Sequence, residues 1–274
     1  MVFQEKSQDG HPEFKKILEK LDIGKGQDFV INRDDVYALR DPPSKYSPAQ
    51  AFLHKLASLD FRCRKEFFLP KQESEDEEMS TFFAQSDDDD DDDEGDNDDE
   101  DEDSQEMEND TRISGADLTL STIMRCDPFL IQDMFQKMTN CQLAIPLIRP
   151  SPDSKDDYTF SLWASRLIKK SWLNYLKENV ESNISIAESF NIGFCRVGNL
   201  DVSKSGIINN FLSECQGGGN EHSYFSTRET DSKSSLNPGC VEASWFCPNG
   251  GGNEKINDLT CCLNLRGDLN ICTV

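Results

Sequence analysis

Seven consecutive aspartates, Asp87–Asp93, lie inside a longer stretch, Glu73–Asp110, that holds 23 acidic residues and no lysine or arginine. Like charges at this density repel one another, and the stretch offers too little apolar surface to offset the entropy of ordering a chain. It cannot join a packed core, so the sequence on either side has to fold around it. The net charge of the whole chain is −24, nearly all of it in this stretch, and the rest is close to neutral. The acidity is local and says nothing about how the remainder folds. A solvated insertion or linker is the plain reading of 73–110. A lure for basic partners, such as histones or arginine-rich segments, is the functional one.

Outside the acidic stretch the apolar residues fall into readable periods. Phe14, Ile17, Leu18 and Leu21 occupy one face of a helix, with Gly24 as a stop. Ser47-Pro48 combines a capping side chain with a first-turn proline and opens a second helix with Phe52, Leu53, Leu56 and Leu59 on its apolar face. Asp127-Pro128 opens a third, carrying Phe129, Leu130, Met134, Phe135 and Met138. Ala144 to Pro150 reads as extended, because residues before proline avoid the helical region. Arg166, Lys169 and Lys170 are expected on a solvated face, too small a basic cluster to predict direct contact with nucleic acid. The domains expected are a helical module over 1–72, an acidic disordered insertion over 73–117, a helical continuation over 118–183, and an α/β part over 184–274.

No apolar run approaches the roughly 20 residues of a bilayer-spanning helix. Residues 1–10 lack the apolar core of an export signal. A membrane location is not expected; cytoplasm or nucleus is. Ten cysteines are present without a Cys-x-x-Cys pair, which argues against a zinc ribbon or redox site and for free thiols.

The chemistry is concentrated after residue 184. Phe190, Ile192, Phe194 and Val197 form a short strand-like run that leads into Gly198, Asn199, Leu200, Asp201, Val202, Ser203, Lys204 and Ser205. Ile207, Ile208, Phe211, Leu212 and Cys215 then trace one helix face. Strand, tight loop, Lys-Ser and helix make up the setting of a phosphate loop. Backbone N–H groups at the helix start attract anionic oxygens, Lys204 would reach nucleotide phosphates, and the Ser205 hydroxyl would bind Mg²⁺. Ser203 departs from the usual glycine, and serine fits there only if the backbone stays outside glycine-only conformations.

Downstream, Val241, Ala243 and Trp245 alternate, as do Leu259, Cys261, Leu263 and Leu265, around the turn-rich 248–252. These runs suggest an antiparallel pair. The second ends at Asn264-Leu265-Arg266-Gly267-Asp268, which has the Asp-x-x-Gly spacing with Asn264 in place of the acid. Metal support would weaken or shift to Asp268. A switch threonine should lie between the helix and the hairpin, and Thr227 and Thr230 both qualify.

Together these residues resemble the very large interferon-inducible GTPases and up-regulators of cell proliferation. The similar stretches are Arg196-Val197-Gly198 through Ser203-Lys204-Ser205, Glu242-Ala243-Ser244-Trp245, Asn264 to Asp268, Phe52-Leu53-His54-Lys55-Leu56, Gln136-Lys137-Met138 with Cys141 to Leu147, and Leu162-Trp163-Ala164. The resemblance implies an α/β fold: a mainly helical N-terminal region followed by a partial P-loop GTPase-like domain, with the acidic insertion between. It implies GTP with Mg²⁺ as cofactors and a guanine nucleotide as partner, and it accounts for Ser203, since serine before the loop lysine is a feature of that family. The guanine-reading Asn/Thr-Lys-x-Asp motif normally follows well after Asp-x-x-Gly, whereas this chain stops at Val274. The expectation is therefore a fragment or truncated copy, with hydrolysis not implied for these residues alone. A non-catalytic interaction protein that uses the helical module and acidic stretch is the alternative, with an acidic chaperone for basic proteins behind it.

Overall fold

The computed structural model describes residues 12–21, 30–37, 47–64, 67–68, 112–151, 157–198, 202–216, 222–227, 238–251 and 254–267. The chain divides into two compact units, Met1–Phe67 with Ile113–Val274, and Phe68–Arg112. The acidic stretch falls in the second, outside the described residues, as does the expectation of disorder there.

Helix α1 (Pro12–Lys20) buries Phe14, Ile17 and Leu18, as their spacing predicts, and Leu21 follows them into the core. Helix α2 (Arg33–Tyr37) starts where Asn32 Oδ1 accepts from the Asp34 amide and Asp35 Oδ2 accepts from the Asn32 amide, both at 2.8 Å. Helix α3 (Pro48–Ala57) is held at its start by a reciprocal capping box between Ser47 and Gln50. Phe67–Phe68 (β1) and Arg112–Ile113 (β2) are two-residue strands. Helix α4 (Gly115–Arg125) is buried from Gly115 to Met124 despite its hydroxyl residues. Thr119 donates to the Gly115 carbonyl and Ser121 to that of Asp117, both at 2.6 Å, so hydroxyls turned inward keep partners inside the helix itself. Helix α5 (Pro128–Asn140) is capped by Asp127, which accepts from the Phe129 and Leu130 amides.

The segment 118–183 stays helical only to Asn140. Strands β3 (Ile145–Pro150) and β4 (Tyr158–Phe160) follow, then the short helix α6 (Leu162–Ser165) and the antiparallel hairpin of β5 (Lys169–Leu173) with β6 (Asn179–Asn183). The physical reason lies in residue type: Pro146 and Pro150 exclude helix through 145–150, while Lys170 is drawn inward by a hydrogen bond. Its ammonium donates to the Thr139 carbonyl, off the solvated face expected for it, and burial lowers its pKa.

Strand β7 (Phe190–Phe194) leads through 195–203 into helix α7 (Lys204–Cys215), and the antiparallel strands β8 (Val241–Phe246) and β9 (Thr260–Leu265) return. The five-stranded sheet runs β4-β3-β8-β9-β7, with β7 and β9 parallel and the other neighbours antiparallel. One sheet thus crosses the boundary expected near residue 183, because β3 pairs with β8. Their register shifts between Pro146 and Ile148, where proline has no N–H to give the ladder.

Alternation places Glu242, Ser244 and Phe246 of β8 on the same face as Thr260, Cys262 and Asn264 of β9. Ile208, Leu212 and Cys215 of α7 pack there with Phe246, Cys262, Tyr224, Phe225 and Ala144. Asn209 pins 222–227 to the helix: its amide donates to the Phe225 carbonyl at 2.8 Å and accepts from the Phe225 N–H at 2.9 Å, both buried. Replacing Asn209 with alanine leaves both groups without these partners and should cost about 2–4 kcal/mol of stability in urea unfolding. A loss below about 1 kcal/mol would show that the two bonds do not hold the segment.

Candidate functional site

Strands β7 and β9 end level with each other, since Phe194 lies opposite Asn264. Past Phe194 the chain reaches Gly198 at φ +80°, a left-handed conformation that favours glycine, with no atom within 4 Å of where a side chain would begin. Asn199, Leu200 and Asp201 lie outside the described residues. Val202 is exposed. Ser203 sits at φ −70°, ψ 114°, ordinary extended backbone, so the non-glycine residue there carries no strain. Its hydroxyl caps α7 by accepting from the Gly206 amide at 3.3 Å.

Lys204 and Ser205 form the first turn of α7. The Lys204 ammonium donates to the Leu265 carbonyl at the end of β9. Its pKa is brought down to about 8, by burial first and then by the charge of Arg266. Ser205 is buried and takes a hydrogen bond from Asn264 Nδ2 at 3.1 Å. Asn264 is wholly buried, and its Oδ1 has no hydrogen-bond partner. Gly267 turns the chain at φ +86° just beyond. Asp268 lies outside the described residues, and so does Thr230. Thr227 is buried, next in sequence to Ser226.

Two residues with no role assigned from sequence complete the cluster. Arg266 binds Glu242 with two hydrogen bonds, Nε to Oε2 at 2.7 Å and Nη2 to Oε1 at 3.2 Å. Its Nη1 donates to the Ser226 carbonyl at 2.9 Å and lies 3.5 Å from Ser205 Oγ. Glu242 Oε2 also accepts from Asn264 Nδ2 at 3.4 Å. The signal for this pair was register: Glu242 lies directly opposite Asn264, on the face that carries Ser244 and Phe246, and only an inward-facing glutamate there calls for a cation.

This cluster surrounds the hydroxyl expected to bind magnesium. Magnesium is usually held by one or two carboxylates together with phosphates and water. The carboxylate beside Ser205 is already doubly bonded to Arg266, and Asn264 is neutral. Asn264 Nδ2 at 3.1 Å and Arg266 Nη1 at 3.5 Å both lie near the Ser205 hydroxyl oxygen. Among the described residues no group of three or more His, Cys, Asp or Glu could hold a metal ion, and Asp268, the other residue expected to support magnesium, lies outside them. Nine cysteines of the described residues are free thiols. Burial raises Cys261 and Cys262 behind the site to about 12, which makes them unreactive.

A family model for the up-regulator of cell proliferation-like domain matches residues 113–273. The chain belongs to that family. It is 30% identical over 261 residues to interferon-induced very large GTPase 1 of Homo sapiens, covering 90% of this chain and 10% of that protein. It is 32% identical over 169 residues to up-regulator of cell proliferation of Homo sapiens, covering 58% of this chain and 18% of that protein. Caspase recruitment domain-containing protein 6 of Homo sapiens is 24% identical over 173 residues, 60% of this chain and 16% of that protein. The chain thus spans only between a tenth and a fifth of the length of these relatives. No solved structure matches it. No helix among the described residues is long and apolar enough to cross a membrane.

Removing one member of a buried ion pair leaves the other charge uncompensated, whereas removing both does not. Arg266→Met alone should cost about 3–5 kcal/mol in urea unfolding, and the Glu242→Gln/Arg266→Met double variant less than half of that. Equal losses in the two variants would show that the pair is not electrostatically coupled.

Proposed function

We propose that this chain binds a guanine nucleotide, with its phosphates at the turn after β7 and the first turn of α7. The observation that carries this reading is the placement of Lys204 and Ser205. They open a helix directly after a strand whose end lies level with the end of its parallel neighbour. A helix start offers unpaired amides and partial positive charge to an anion. The Gly198 turn leaves room there, and Lys204 spends its charge on a main-chain carbonyl that a phosphate oxygen would replace. The order β8-β9-β7 with α7 as the crossover matches the opening of a P-loop domain. The choice of guanine follows the relatives, one of which is named a GTPase. Asn199, Leu200 and Asp201 are assigned to the loop by sequence position, with Val202, Ser203, Asn264, Gly267 and Asp268 around it. Hydrolysis is not part of this reading.

Titration with a fluorescent GTP analogue tests the proposal. Wild type should bind saturably, and Lys204→Ala should bind about tenfold more weakly or worse, given what a charge-assisted phosphate contact is worth. Equal binding by the two proteins, or binding by neither, would remove the nucleotide reading. Competition by unlabelled ATP as strong as by GTP would remove the guanine preference alone.

The pH dependence follows from Lys204. In the free protein the ammonium is lost as pH rises through about 8, while phosphate oxygens restore its preference for the proton. Binding therefore takes up a proton above that pH. Affinity should be flat from about pH 7 to 8 and then weaken towards tenfold per pH unit. Lys204→Arg, which keeps its charge throughout, should abolish the slope. A slope that persists in that variant assigns it to another group.

A further inference from the structure

We infer that Glu242 is a positioning residue for the bound nucleotide, acting through the Asn264 amide on the Ser205 hydroxyl. This rests on the nucleotide reading above and goes beyond it by adding a chain of side chains that acts from beneath the ligand. Asn264 is wholly buried near the end of β9, and Ser205 is buried in the first turn of α7. Glu242 lies opposite Asn264 in the β8–β9 ladder and is buried as well. Side chains shut in this way can influence a phosphate only through a neighbour. The neighbour that Asn264 bonds is Ser205.

The amide carries the effect. One end of an asparagine side chain donates and the other accepts, and what each end meets fixes which way round it lies. Asn264 Nδ2 donates to Ser205 Oγ at 3.1 Å and to Glu242 Oε2 at 3.4 Å. Its Oδ1 has no hydrogen-bond partner among the described residues. Turned over, the amide would set its oxygen against a carboxylate, which only accepts. That carboxylate is held in place, since Oε2 takes a hydrogen bond from Arg266 Nε at 2.7 Å and Oε1 one from Nη2 at 3.2 Å. A buried oxygen left without a donor is costly, so the orientation follows Glu242 and not the needs of the amide itself. Ser205 therefore receives an N–H where the other orientation would offer an oxygen, and its hydroxyl is set before a ligand arrives. A group ordered in advance loses less freedom on binding, which strengthens its contact with the ligand.

The test is a double-mutant cycle on affinity, read by titrating the full chain with the fluorescent GTP analogue. Ser205→Ala should weaken binding about fivefold or more, and so should Asn264→Leu, which keeps the volume of the buried side chain. Glu242→Gln, which no longer dictates the orientation of the amide, should weaken it about threefold or more. In the Ser205→Ala background, neither Asn264→Leu nor Glu242→Gln should cost more than about a further twofold. A role confined to holding the fold would cost the same in both backgrounds, so additive losses overturn the inference. Ser205→Ala binding as tightly as wild type also overturns it, because Asn264 would then have nothing to act through. Glu242→Gln binding as tightly as wild type overturns the role of Glu242. Folding of each variant is checked by circular dichroism. If Glu242→Gln does not fold, Glu242→Asp replaces it, keeping a charge for Arg266 while falling one methylene short of the amide. If Asn264→Leu does not fold, Asn264→Ala takes its place. Failure of the underlying nucleotide reading looks different: no saturable binding by wild type, or equal binding by Lys204→Ala.

Discussion

One guanidinium joins the parts of this fold that would otherwise be free to shift against one another. Arg266 reaches Glu242 on β8, the Ser226 carbonyl in the stretch after α7 and the Ser205 hydroxyl at the start of α7. A buried ion pair contributes little net stability, because desolvating two charges offsets most of their attraction. What it contributes here is position. Glu242 stands opposite Asn264 in the β8–β9 ladder, and a slip of one residue would turn it to the other face, away from its partner. With that register set, the end of β9 lies where Lys204 meets the Leu265 carbonyl and where Asn264 meets Ser205.

The helical part of the chain also bonds to the stretch after α7. Arg64, just past α3, donates to the Tyr224 carbonyl at 2.8 Å and the Ser223 carbonyl at 3.2 Å, and the Ala144 amide donates to Tyr224 as well. Asn209 holds Phe225 from α7, and Arg266 holds Ser226 from β9. The main chain of residues 223–226 is thus held from four places, Arg64, Ala144, Asn209 and Arg266. Strand β3 closes the edge of β8, which would otherwise expose its amides and carbonyls. Segment 118–183 shares a sheet with the α/β part, and Arg64 of the helical module joins the clamp on 223–226, so neither is a passive neighbour.

Much of this was legible in the chain. The starts of α3 and α5 were given by Ser47-Pro48 and Asp127-Pro128, since a capping oxygen beside a first-turn proline has few other uses. The β7–α7 unit and the β8–β9 pair were read from periodicity alone. Helix α4 was obscured because Thr119, Ser121 and Thr122 occupy buried positions, where their hydroxyls bond back to the helix or face inward in ways that composition does not report. The β5–β6 hairpin was missed because Lys169-Lys170 and Glu181-Ser182-Asn183 lack an apolar alternation. Its strands are held by main-chain pairing and by Lys170 turning inward. The pairing of β3 with β8 joins residues about a hundred positions apart, and local pattern carries no information at that range.

The site shows the same division between residue type and arrangement. Lys204, Ser205, Ser203 and Asn264 could be named because a phosphate loop demands particular chemistry at particular spacing. The serine at 203 is a case where the demand is on backbone angle, met at φ −70° without glycine. Glu242 and Arg266 lie within stretches that carry the resemblance, but their pairing becomes meaningful only once two strands are laid side by side. Yet they determine the character of the place. With Asn264 neutral, the buried Arg266–Glu242 pair sets what surrounds the Ser205 hydroxyl. Arg266 is fixed there through its side chain, on Glu242 and the Ser226 carbonyl, and through its main chain, on Cys240 and Gly239.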